Sequence, residues 1–163
     1  MQLRTLFSRL GPALRHRPGR VAIVLAVTGV PLGAVAAADG EVSVRVEVTG
    51  LRSHKGVVRA CMTTDPARFP NCQDGAAYTL SVPATGTPVL EFPAVRPGRY
   101  AISILHDENG NGRVERALGM IPKEGFGFSR DAPVRFGPPS FAQAAFTVGT
   151  EAVHHTIRMR YML

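Results

Sequence analysis

The chain has 163 residues and a formal charge of +7, but the charge is unevenly placed: five of its 19 Lys and Arg precede Asp39, and the remaining 14 face all 12 acids, a net +2. A near-neutral body with interspersed signs excludes nucleic-acid binding by bulk electrostatics, which needs a clustered basic face. About 125 residues after Ala38 are enough for one domain with its own core, and neither a repeat nor a low-complexity tract divides them.

The first 20 residues carry Arg4, Arg9, Arg15, Arg17 and Arg20 with no acid, Val21 to Val35 is apolar, and Ala36-Ala37-Ala38 follows. A basic start, a short apolar run and a small-residue end make a secretory leader. The 15-residue run contains Gly29, Pro31 and Gly33, whereas a membrane span needs about 20 apolar residues. The expectation is a signal peptide over 1–38, a single domain over 39–163, a periplasmic or secreted location, and no membrane span once the leader is removed.

Val42, Val44, Val46 and Val48 alternate with Ser43, Arg45, Glu47 and Thr49, which is the period of a half-buried strand. Val57 to Thr63 reads as the next strand, followed by a Pro-rich loop between Cys61 and Cys72. In an exported chain these two cysteines are expected to form a disulfide that staples the loop, a closure that stabilises by about 3 kcal/mol on a chain-entropy model. Further strands are predicted around Tyr78, Leu80 and Val82, at Val89 to Phe92, at Arg99 to Leu105 with Tyr100, Ile102 and Ile104 on one face, at Ala142 to Val148, and from Val153 to Leu163. No amphipathic helix is expected after Ala38. About seven short strands separated by turns favour an all-β, two-sheet Greek-key sandwich, with a closed barrel as the alternative.

Between Leu105 and Ala142 lie 36 residues with little strand character but with Leu118, Met120, Ile121, Phe126, Phe128, Phe136 and Phe141. Loops this long are uncommon unless they bind something or are disordered, and the apolar content argues for one long, ordered Gly/Phe/Pro-rich loop. Here the sequence HDENGNGRVERALGMIPKEGFGFS, preceded by RPGRYAISIL and followed by FGPPSFAQAAF, resembles the bacterial family known as domain of unknown function 2141. The resemblance covers essentially the whole of 39–163 and is densest from His106 to Phe146. It implies an exported, uncharacterised single-domain protein with a sandwich of the transthyretin or immunoglobulin-like kind. The chain departs from the family pattern at Glu115, where Asp is common.

Asp107, Asn109 and Asn111 followed by Gly112 reproduce the first half of a calcium loop, with Glu115 as a further oxygen ligand and Glu108 or Glu124 as outside contributors. The position that would need a bidentate Glu is Leu118, and a strand rather than a helix leads in. The alternative is a tight turn in which Asp and Asn side chains accept from nearby backbone N–H groups. His106 with the adjacent acids and Ser129 raises a hydrolase, yet His106 is in phase with the inward residues of its strand and is expected to bond a loop carbonyl. Phe126 and Phe128 either plug the end of the core or grip a glycan or peptide, with Lys123, Glu124, Ser129 and Arg130 as the rim. His154 and His155 are adjacent on a strand and diverge, so they make no zinc pair. The expected protein is thus a non-catalytic, monomeric exported module, with calcium ligation at Asp107, Asn109, Asn111 and Glu115 as one of the two readings of its turn, and with a His106 hydrolase as the alternative.

Overall fold

The computed structural model describes residues 40–72, 78–117 and 121–163. The predicted leader, the segment between Cys72 and Tyr78, and Leu118 to Met120 lie outside the described residues. The described chain is mostly strand, arranged in three sheets.

β1 (Val42–Thr49) buries Val44, Val46 and Val48 and turns the intervening polar residues outward, as strict alternation requires. β2 (Val57–Thr63) does the same with Val58, Ala60 and Met62, and pairs antiparallel with β3 (Tyr78–Pro83). β4 (Val89–Val95) returns to β1 as an edge strand, where Pro93 costs no ladder bond. β5 (Gly98–Asp107) is the longest of the described strands, and its Ala101 to Asp107 pair with the whole of β2.

The connection after β5 is not free of strands. It contains β6 (Arg116–Ala117), β7 (Ile121–Pro122) and β8 (Gly125–Phe128), and β8 pairs with Ser103 to His106 of β5. Ten strands are therefore described where about seven were expected. The extra pairing is invisible to propensity because Gly125 and Gly127 disfavour a strand in isolation. Their lack of side chains is what the site needs: a Cβ on Gly127 would lie 2.8 Å from Ile157 Cγ2, and one on Gly125 would collide with the Tyr161 ring. The C-terminal segment crosses there and covers the outer edge of β8, Phe126 and Arg160 exchanging both backbone bonds at 3.0 and 2.9 Å.

A second correction concerns residues 142–148. Phe141–Ala144 is a single helical turn, α1, and only Phe146–Val148, β9, is extended. Ser140 and Gln143 form a capping box at its start, and these reciprocal bonds decide the local conformation against the apolar run. The final strand, β10 (Val153–Arg158), pairs parallel with β1 and ends before Leu163.

The small sheet runs β10-β1-β4 and the large one β3-β2-β5-β8, with β9 continuing along the β5 edge. Both supply one apolar core, Val44, Leu90, Phe92 and Ile157 from the first meeting Val58, Met62, Ile102 and Ile104 from the second. The outer face of the large sheet is different. At one end Phe69, Phe128, Phe141, Ala132 and Ala144 form a separate cluster over Ala101. The Cys61–Cys72 pair, with Cα atoms 5.9 Å apart, ties the loop bearing Phe69 to this face, and Ser103 Oγ donates to the Pro70 carbonyl at 2.6 Å. At the other end the Asp107 turn folds over β2. Among the described residues, the sheet between these two covers is left open.

Candidate functional site

The Asp107 turn begins where β5 leaves the sheet. Asp107 is fully buried: Oδ1 accepts from Asn111 N–H at 3.0 Å, and Oδ2 from Gly112 N–H at 2.8 Å and from Arg59 Nε at 2.7 Å. Burial opposes its ionisation, but the Arg59 guanidinium and the two backbone donors outweigh this and hold its pKa below the usual carboxylate value. Asn109 Oδ1 also accepts from Asn111 N–H, Asn111 Oδ1 accepts from Arg113 N–H, and Asn111 Nδ2 donates to Glu115 Oε1. Gly110 and Gly112 take φ of 72° and 74°, the left-handed region that lets the chain reverse twice.

The structure thus brings Asp107, Asn109, Asn111 and Glu115 into one turn. Each of their side-chain oxygens named above already meets a donor, and the carboxylate best placed to bind a cation carries the charge of Arg59. Among the described residues no group of three or more His, Cys, Asp or Glu gathers at one point. As placed, this donor set forms a self-bonded turn.

Glu108 faces away from Asp107, toward Arg52. The Arg52 guanidinium bonds Glu108 Oε2, Ser53 Oγ donates to Oε1 at 2.6 Å, and the Glu108 pKa is pushed down to about 2, chiefly by the Arg52 bond. Arg52 also donates to the Lys123 carbonyl at 2.9 Å and lies 4.6 Å from the centre of the Tyr161 ring. One guanidinium therefore ties together the turn, the start of β8 and the C-terminal segment.

His106 is inward and fully buried. Its Nε2 donates to the Lys55 carbonyl at 2.9 Å and its Nδ1 meets the Tyr161 hydroxyl at 2.7 Å, so neither nitrogen is open to a substrate. His154 is exposed, while His155 turns inward with its ring centroid 4.2 Å from that of Phe146.

The remaining sequence-picked residues divide. Ser129 is fully buried, accepts from Ile102 N–H at 2.9 Å and donates to the Ala144 carbonyl at 2.6 Å; it fastens α1 to β5 and forms no rim. Lys123 and Arg130 are exposed, and Arg130 Nη1 donates to the Ala145 carbonyl at 3.2 Å. Phe126 is half-buried, Phe128 is buried, and their ring centroids are 6.1 Å apart on the outer face. Glu124 is buried; its Oε2 accepts from Glu115 N–H at 3.3 Å, and burial raises its pKa.

Phe126, Phe128 and Glu124 line a cleft of about 1040 Å³ over the open part of the large sheet. Arg59, Ser81, Ser103 and Leu105 contribute to its floor. One wall is the arm Arg113-Val114 with Arg116, and the other is Arg135-Phe136 with Pro138. Val114 is 45% exposed and Phe136 107% exposed, so both walls end in an apolar side chain in water beside a guanidinium. Among the described residues no carboxylate pairs with Arg113, Arg116 or Arg135. Sequence reasoning missed these walls. Alternation in β2 does place Arg59 opposite Val58 and Ala60, but nothing in the spacing says that residues 113–116 and 134–138 line one cleft.

Comparison with known proteins finds that residues 46–156 match the family described as an uncharacterized protein conserved in bacteria (DUF2141). No curated protein and no solved structure matches the chain.

Proposed function

The chain belongs to the uncharacterised bacterial family DUF2141, and from that premise we propose that it is an exported, non-catalytic binding module that holds an extended glycan or peptide ligand across the outer face of its large sheet. The observation that carries the proposal is the cleft. A sheet face in a monomeric domain is ordinarily covered or uniformly polar; this one, among the described residues, is covered at both ends and open between, with exposed apolar residues concentrated on the walls of the opening. Its volume, about 1040 Å³, is at the upper end of ligand sites, on the order of 300–1,000 Å³, and suits a ligand lying along a groove.

The scaffold reading is a Greek-key sandwich of the transthyretin or immunoglobulin-like kind. The order β3-β2-β5-β8 against β10-β1-β4, in which β5 returns to β2 after β4 has crossed to the other sheet, supports it. Export is supported by the basic-then-apolar start of the sequence and fits the Cys61–Cys72 pair. A non-catalytic role is supported by the engagement of His106, Asp107 and Glu108, whose hydrogen-bonding capacity is turned toward the protein itself. The turn then serves to fix the Arg113 arm, and millimolar calcium is expected to leave the melting temperature unchanged relative to chelator.

The test is a glycan and peptide array probed with the exported protein and with Ser81→Trp, which puts an indole on the exposed cleft floor. Ligands held by the parent and lost by the folded variant support the reading; ligands held equally by both refute it.

A further inference from the structure

Three features of the cleft constrain its ligand beyond shape. First, guanidiniums line it from both walls and the floor: Arg113, Arg116 and Arg135 have no ion-pair partner among the described residues, while Arg59 shares its charge with Asp107. Planar guanidiniums favour bidentate pairing with carboxylate or phosphate oxygens. Second, the one acid among the lining residues, Glu124, is 4% exposed and its Oε1 has no hydrogen-bond partner among the described residues. A buried acceptor without a donor is costly, and a ligand that brings an O–H relieves it. Third, Phe136 is fully exposed on the rim, a flat face on which the C–H side of a sugar ring stacks.

Resting on the cleft being a binding site, we propose that its ligand is an acidic glycan, a run of uronate-type sugars whose carboxylates pair with Arg113 and Arg135, whose ring stacks on Phe136, and one of whose hydroxyls donates to Glu124. An acyl chain satisfies neither Glu124 nor the three unpaired arginines along its length. An acidic peptide offers carboxylates but lacks a hydroxyl-rich ring for Phe136 and Glu124 together.

The full chain, expressed with its own leader and purified from the export compartment, is titrated calorimetrically with oligogalacturonate, with a neutral galactan oligomer of equal length, with oligoglutamate, and with phosphatidylglycerol vesicles. Oligogalacturonate is expected to bind, the neutral oligomer roughly tenfold or more weakly, because each charge-assisted pair is equivalent to about that factor. Affinity falls with added salt. R113Q/R135Q loses about tenfold or more toward oligogalacturonate only, and Phe136→Ala weakens both glycans. Phe136 is fully exposed, so that variant separates binding from stability. Equal binding of the neutral oligomer overturns the acidic assignment and leaves the cleft reading standing. Preference for oligoglutamate or vesicles overturns the glycan assignment. No binding of any probe, or binding unchanged in R113Q/R135Q and Phe136→Ala, overturns both.

Discussion

The two faces of the large sheet are built on different terms. The inner face is closed by β1, β4 and β10, with Val58, Met62 and Ile102 fully buried against Val44, Leu90 and Ile157. Among the described residues, the outer face is closed only at its ends, by an aromatic cluster under the stapled loop and by a hydrogen-bonded turn around Asp107. Packing is completed wherever the fold depends on it, and the interrupted stretch is where arginines and a rim phenylalanine meet solvent. On the proposed function, stability and recognition fall to opposite sides of one set of strands.

Substitutions on the two faces should separate accordingly. Ile102→Ala, on the inner face, is expected to lower unfolding free energy by about 2–5 kcal/mol in a denaturant titration. Replacing both Cys61 and Cys72 by Ser releases the cover bearing Phe69 and should cost about 3 kcal/mol, with loosened exchange in 64–72 while the inner core stays protected. Asp107→Asn keeps the shape of the other cover but removes the charged acceptor from Arg59 and the Gly112 N–H, a loss on the order of 1–3 kcal/mol. Equal effects of Ile102→Ala and Phe136→Ala would break the division outright; the latter should stay within about 0.5 kcal/mol of the parent.

Proton linkage sharpens the same comparison. The folded pKa of Glu108 lies at about 2 against an ordinary 4.5, so its contribution is fully present above the unfolded value and is lost as pH falls from about 4.5 toward 2. Glu124 has the opposite sign: burial raises its folded pKa, so its contribution is present below the unfolded value and is lost as pH rises through the folded one. Melting curves against pH for Glu108→Gln and Glu124→Gln should lose these slopes in opposite directions.

Much of the inner face is legible from alternation alone: Val44, Val46 and Val48, or Tyr100, Ile102 and Ile104, announce which side is buried, and His106 follows in phase. The cysteine spacing and the Asp107-to-Gly112 turn are equally local signals. β8 is not legible, because its glycines are chosen by the approach of Ile157 and Tyr161 and not by strand propensity. The helical turn at Phe141 is decided by Ser140 and Gln143 bonding back on the chain, which hydrophobic pattern ignores. The cleft is the least legible of all. Its lining comes from segments far apart in the chain, residues 113–116 and 134–138, and Ser129, read as a rim residue, is drawn inside by Ile102 and Ala144.

Mapping backbone amide shifts of the protein during titration with oligogalacturonate tests the central claim most directly. Perturbations should concentrate at Ser81, Ser103, Leu105 and Phe126 and along Arg113–Arg116 and Arg135–Gly137. Perturbations confined to Arg45, Glu47 and Glu91 on the outward side of the small sheet, or none at saturating oligomer, would contradict it.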